Sequence, residues 1–271
     1  MPEFQAKQIQ KASTSGTKPL HVIVQKRDLR LLHALSTLRI VDRPQACVIS
    51  GFNSTTRVNA RLLKLRQAGF LKRFFFVSQL GGKKAIYCLS KKGSELIGVP
   101  SNAIQRPSDS FLIGDKFVAH QLAINQVYCA AHFQNRANGA SVQNWRTFTE
   151  AISPSSPIIP DAYFEIHSNE TVRPMFLEVD LGTEGLPVWN KKINEYLSLA
   201  ATGEFERIFQ KPRFAVAVVT TSEKRMHSLR LHTTKITQKL FYFTTLKGMQ
   251  EQGFWSSIWH RPDGKQTQSL T

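Results

Sequence analysis

Four carboxylates stand in the middle of the sequence at spacings that suit metal chemistry: Glu150, Asp161, Glu178 and Asp180. Asp161 follows Pro160 and opens an alternating apolar run, and Glu178 lies near the end of the next such run. The residues between the two runs, from Glu165 to Pro174, read as the turn of a hairpin, which brings Asp161 and Glu178 side by side at one end of a sheet. Two carboxylates so placed make a hard oxygen site for Mg²⁺ or Mn²⁺, which keeps several waters and takes phosphate oxygens directly. Glu150 can complete the shell. Asp180 shares a strand face with Glu178, because side chains two apart in a strand point the same way, so it is a further candidate ligand. Such a metal polarises a scissile phosphate and activates a water, and a nearby lysine stabilises the developing charge. A plainer reading stays open. Asp180, Gly182 and Thr183 can form a capped turn from strand to helix, and Asp161 can accept backbone donors after Pro160.

The elements that must position these groups alternate. A helix over residues 117–134 precedes strand-like runs at 145–152, 161–166 and 174–182. A helix through 189–200, a strand at 213–221, a helix at 223–236 and a strand at 240–245 follow. That order predicts a mixed α/β sheet with helices on its faces. The N-terminal part differs. Helical spacing begins at Asp28, Arg43 and Pro44 open a second short helix, and Ser54, Thr55 and Thr56 offer caps to a third that ends at Gly69. In the third helix Val58, Leu62, Leu63 and Leu65 are assigned to a core, leaving Arg57, Asn59, Arg61 and Lys64 polar. Two alternating runs joined at Gly81 and Gly82 form a hairpin, and a short helix closes the unit. This is the layout of a winged helix-turn-helix, whose third helix enters the major groove while the hairpin touches phosphates. The expected DNA-binding residues are Ser54, Thr55, Thr56, Arg57, Asn59, Arg61 and Lys64 on the helix, with Lys72, Arg73, Lys83 and Lys84 on the hairpin.

The expected fold class is therefore α+β in two domains. Residues 1–24 form a flexible basic arm, 25–99 the winged helix, 100–114 a linker, 115–258 the α/β domain and 259–271 a flexible tail. Composition agrees with a polyanionic partner: 36 Lys and Arg against 19 Asp and Glu give a net charge of +17. Double-stranded DNA is the first candidate and a membrane the second, but no uninterrupted apolar run of the roughly 18 residues a spanning helix needs is present. The N-terminal residues lack the apolar stretch of a secretory signal, so the cytoplasm is the expected location. Cys47, Cys88 and Cys129 lie too far apart for a zinc motif and read as small buried hydrophobes. No GxxxxGK[ST] phosphate loop and no Ser/His/Asp or Cys/His nucleophile pattern occurs, which excludes a built-in ATP motor and acyl transfer. His120 and the four tryptophans, Trp145, Trp189, Trp255 and Trp259, read as core residues first and as site or base-stacking residues second.

Several of these residues together resemble the replication-relaxation proteins of plasmids and other mobile elements, whose second domain is similar to the PD-(D/E)XK nuclease core. The resemblance is carried by His120-Gln121-Leu122, Glu150, Pro160-Asp161, the run from Phe176 to Glu184, and Lys192 followed by Tyr196, and it spans residues 27–245. It implies work in replication, transfer or recombination of a mobile element, with a relaxase, replicase or recombinase as possible protein partner. As a nuclease, the chain would use Asp161, Glu178 and Lys192 for catalysis and Glu150, Asp161, Glu178 and Asp180 for Mg²⁺ or Mn²⁺. The active pattern places lysine two residues after the second acid, where this chain has Asp180. Lys192 on the following helix can substitute, whereas Lys191 points about 100° away. Asp180 can instead pair with Lys192 and leave no free catalytic lysine. Three functions follow: a DNA-binding module, a metal-dependent endonuclease, and an assembly factor. A homodimer reading paired half-sites is compatible with the first.

Overall fold

Leu31, Leu32, Leu35 and Leu38 recur at three- and four-residue spacing and are buried, which makes Lys26–Leu38 (α1) an amphipathic helix. The computed structural model describes residues 22–77, 82–101, 111–113, 116–134, 139–169 and 171–271. Most of the expected arm, most of the expected linker and Gly81 lie outside the described residues. After Val41–Asp42 (β1), the Asp42 carboxylate accepts the Gln45 backbone N–H at 3.0 Å and caps Arg43–Ser50 (α2), with Pro44 in the first turn. Thr55–Gln67 (α3) buries Val58, Leu62 and Leu65. Leu63, expected in this core, is exposed, because with Leu62 inward the next residue turns about 100° toward solvent.

Leu71–Val77 (β2) pairs antiparallel with Lys83–Leu89 (β3), and Gly82 takes the positive φ of +84°. Lys91–Leu96 (α4) follows, capped by Ser90. Phe111–Ile113 (β4) then adds parallel to β2, so the expected linker contributes a strand to the first sheet, whose order is β1-β3-β2-β4.

Lys116–Phe133 (α5) is apolar nearly all round and is accordingly buried on two sides. Val118 packs with Ile40, Phe74 and Ile86, while Ala123, Ile124 and Val127 pack on a second, larger sheet. The Gln45 side chain donates to the Leu122 carbonyl at 2.8 Å, and the Asn125 amide donates to the Ile40 carbonyl. These bonds satisfy polar groups that would otherwise be buried without partners.

The second sheet is built from Ser141–Thr147 (β5), Ala162–Ser168 (β6), Thr171–Asp180 (β7), Ala215–Thr220 (β8), Phe241–Thr245 (β9), Trp259–His260 (β10) and Thr267–Gln268 (β11), adjacent in chain order. Leu186–Ala201 (α6) and Glu204–Phe209 (α7) connect β7 to β8, Glu223–Thr234 (α8) connects β8 to β9, and Leu246–Gln252 (α9) follows β9. The helical connections make β7, β8 and β9 parallel, whereas β5, β6 and β7 are antiparallel. Residues of β7 alternate between two cores: Leu177 and Val179 face α5 and α9, and Phe176 faces α6 and α8.

The molecule is thus a mixed α and β protein with a large mixed sheet. Two expectations shift. The strand expected at 145–152 lies earlier, with Asn144 at a positive φ of 53° interrupting its register, while Phe148 and Ile152 pack against the α6 side of the core. The expected tail is structured, because Trp259 and Leu270 are fully buried and draw residues 259–270 onto the sheet as β10 and β11. Trp189 and Trp255 are buried and Trp145 packs partly buried against the core; Cys88 and Cys129 are buried and Cys47 is half-buried.

Candidate functional site

The C-terminal ends of parallel strands collect polar groups because each helical connection starts there. At this end of β7, Glu178 points under α6, where Lys192 and Tyr196, four residues apart, share one helix face. Lys192 Nζ donates to Glu178 Oε2 at 2.9 Å and to Glu184 at 3.0 Å, and the Tyr196 hydroxyl donates to Glu178 Oε1 at 2.5 Å. Glu178 is only 2% exposed. Burial pushes its carboxyl up to about 7 against the pull of Lys192, and the charge of Asp161 adds to the rise. Burial also works to lower the Lys192 ammonium, but Glu178 and Glu184 together hold it above its ordinary value. With Nζ bonded to two carboxylates, the charged ammonium is the form the geometry fits.

Asp161 sits just before β6 and its Oδ2 accepts the Val179 backbone N–H at 2.6 Å. His120, on α5, lies with Nε2 2.8 Å from the Val179 carbonyl and 3.4 Å from Asp161 Oδ2. Bonding to Asp161 raises this imidazole to about 9, with burial opposing, so His120 carries a proton at neutral pH and acts as the partner of Asp161.

The structure therefore brings together Asp161, Glu178 and Lys192, as expected, with His120, Glu184 and Tyr196 around them. It does not bring Asp180 or Glu150 to the same point. Asp180 accepts two bonds from one guanidinium, Arg225 Nε at 2.9 Å and Nη2 at 2.6 Å, and a third from the Gly182 N–H at 2.6 Å. This removes Asp180 both as a metal ligand and as a competitor for Lys192. Glu150 is exposed and has no hydrogen bond or ion pair among the described residues. For Mg²⁺ the donor set does not fit. The Glu178 carboxylate already faces the Lys192 ammonium and the Asp180 carboxylate the Arg225 guanidinium, so a dication would sit against fixed cations, and among the described residues no trio of His, Cys, Asp or Glu is disposed around one point.

In the N-terminal unit, Thr55, Thr56, Arg57 and Lys64 are exposed on α3 and Lys83 and Lys84 on β3, while Ser54, Lys72 and Arg73 are half-buried. Arg73 and Lys83 both lie over the Phe75 ring. Two expected base-contacting residues point elsewhere. Arg61 makes a bidentate ion pair with the buried Asp28 and also donates to the Ile23 carbonyl, so its guanidinium ties α3 to α1. Asn59 is half-buried, with its side-chain oxygen enclosed.

Arg225 was not anticipated from sequence. Asp180 pairs in register with Thr220, so the first turn of α8 comes to lie beside Asp180 only once β8 is known to neighbour β7.

The model of the replication-relaxation family matches residues 16–211 of the 271. The chain belongs to this family. No curated protein and no solved structure matches it. In this replication-relaxation protein the matched span takes in His120, Asp161, Glu178, Lys192 and Tyr196 and ends before β8, so Arg225 lies beyond it. No helix among the described residues is long and apolar enough to cross a membrane.

Proposed function

We propose that this replication-relaxation protein binds double-stranded DNA through a winged helix formed by residues 25–99, in the service of replication, transfer or recombination of a mobile element. In this reading α3 seats in the major groove and β2 with β3 forms the wing against phosphates. The observation that carries it is a surface of one sign: α3, β2 and β3 contain no Asp or Glu at all, and Arg57, Lys64, Lys83 and Lys84 are exposed on them. Arg57, with Thr55 and Thr56 beside it in the first turns of α3, is the base-reading group, and Lys64, Lys83 and Lys84 neutralise phosphates. The α/β domain is a PD-(D/E)XK-like core whose acids are engaged by His120, Lys192, Tyr196 and Arg225, so it holds DNA or a protein partner without cutting.

Fluorescence anisotropy on the native locus and on random duplex tests this. Lys83→Ala with Lys84→Ala should lower affinity about equally on both DNAs and reduce the slope of log K against log salt by about 2. Arg57→Ala should cost roughly 1 to 3 kcal/mol of discrimination while leaving random binding nearly intact. Equal losses on both DNAs for Arg57→Ala would remove α3 from the groove.

A metal-dependent endonuclease is the second reading, supported by the meeting of Asp161, Glu178 and Lys192 at the end of β7. Supercoiled DNA from the native locus, incubated with Mg²⁺ or Mn²⁺, should stay uncut. Cleavage that both Glu178→Ala and Lys192→Ala abolish would establish the nuclease instead.

A further inference from the structure

At the opposite end of the seven-stranded sheet, where β7, β8 and β9 begin, a cavity of about 610 Å³ opens. Arg173, Arg213, Lys239 and Arg261 line it, and among the described residues no Asp or Glu does. Strand register creates the cluster. Met175 pairs with Ala215 and Val216 with Phe241, so Arg173 in β7, Arg213 two residues before β8 and Lys239 two residues before β9 reach the same edge.

Neutral groups hold two of these cations in place. Arg173 donates to the Leu270 carbonyl and to the Tyr242 hydroxyl, both at 2.8 Å, and Arg261 donates to the Gln238 carbonyl at 2.7 Å and to that of Phe241 at 3.3 Å. Both guanidinium groups also lie against the Tyr242 ring, at 5.1 Å and 4.6 Å from its centroid. Carbonyls and an aromatic ring orient a guanidinium without cancelling its charge, and each guanidinium has N–H donors beyond those used here. Arg61, Arg207 and Arg225, by contrast, are each paired with a carboxylate.

We infer that this cavity is a phosphate-binding site, receiving the phosphate of a free nucleotide or that of a nucleic-acid strand. Four cations converging with no acidic side chain among the described lining residues repel one another, and an anion with several oxygens relieves that repulsion while accepting forked bonds from the two oriented guanidiniums. The volume lies within the roughly 300 to 1,000 Å³ of ordinary ligand pockets. The site is separate from α3, so it stands whether or not α3 reads DNA.

The test uses the full chain at low ionic strength with three probes: pyrophosphate and dTMP by calorimetry, and a labelled duplex by anisotropy. Arg213 and Lys239 are exposed and their side chains make no hydrogen bond among the described residues, so Arg213→Ala with Lys239→Ala should fold. Lys224→Ala with Lys247→Ala removes the same charge outside the cavity and is the control. Binding of pyrophosphate or dTMP that falls about tenfold or more in the cavity variant, but not in the control, assigns a free phosphate ligand. No uptake of either small probe, with duplex affinity reduced about tenfold in the cavity variant alone, assigns a strand phosphate. Identical behaviour of wild type and cavity variant on all three probes overturns the inference, as does an equal loss in the control. Arg57→Ala, which tests the winged helix, should leave pyrophosphate and dTMP binding unchanged.

Discussion

The two ends of the large sheet solve opposite electrostatic problems. Where β7 ends, each acid has a cation: Asp161 has His120, Glu178 has Lys192 and Asp180 has Arg225. Where β7 begins, four cations line one cavity with no Asp or Glu among the described lining residues. The first end resembles a closed network, in which burial makes each pair costly to break and leaves little free valence for a ligand. The second end keeps its charge in reserve. Within one sheet, compensated charge thus marks the part that is held and uncompensated charge the part that can receive. A chain of net charge +17 has cations to spare, so the carboxylates are the scarce component and their placement decides which end is which.

The comparison breaks most directly at Lys192. Lys192→Met leaves Glu178 buried with only the Tyr196 hydroxyl, and breaking such a pair should cost about 3 kcal/mol in urea unfolding at pH 8. The cost should shrink as pH falls toward 7 and level off below it, because without Lys192 burial holds the carboxyl above the wild-type value of about 7 and it takes up its proton at higher pH. A cost independent of pH would show that Lys192 acts through packing and that the end of β7 is not an electrostatic network.

His120 sharpens the same point with a smaller effect. Its folded-state value of about 9 lies above the ordinary 6.5, so its contribution is fully present below about 6.5 and is lost as pH rises through 9. Glu178, raised from 4.5 to about 7, moves stability the same way, downward as pH climbs between those values. Stability of the wild type should therefore decline from pH 5 to 9. His120→Gln should flatten the upper half of that decline by about 1 kcal/mol, a figure reduced for solvent screening because the imidazole is about a third exposed. An unchanged profile would detach His120 from Asp161.

Much of this architecture is legible before any coordinates. Leucines at helical spacing locate α1 and α3, and Arg43 with Pro44 locates the start of α2. Alternation in β6 and β7 places Asp161 beside the end of β7, and helix phase singles out Lys192 over Lys191 as the lysine for Glu178, whereas the Tyr196 bond to Glu178 was not anticipated. Pairings between distant segments are not legible. Arg61 looks like a groove residue from its helix face alone, yet Asp28, thirty-three residues earlier, captures it. Arg225 reaches Asp180 across forty-five residues through strand order that no local pattern encodes. The basic cavity is hidden for the same reason, since Arg173, Arg213, Lys239 and Arg261 are scattered in sequence and meet only through the parallel register.

The finest test of the contrast concerns sign. Removing a cation where β7 ends destabilises, because it uncovers a buried acid. Removing one where β7 begins should stabilise, because it relieves repulsion among neighbours with no acid among the described lining residues to uncover. Arg213→Ala and Lys239→Ala, assayed singly in low salt without phosphate, should each raise unfolding stability by about 0.2 to 0.5 kcal/mol, the scale of exposed charge interactions. The gain should vanish in 0.5 M NaCl, where screening acts within about 4 to 5 Å. Destabilisation by either substitution at low salt would mean that the cavity's cations already have counter-charges, and the two ends of the sheet would then obey one rule.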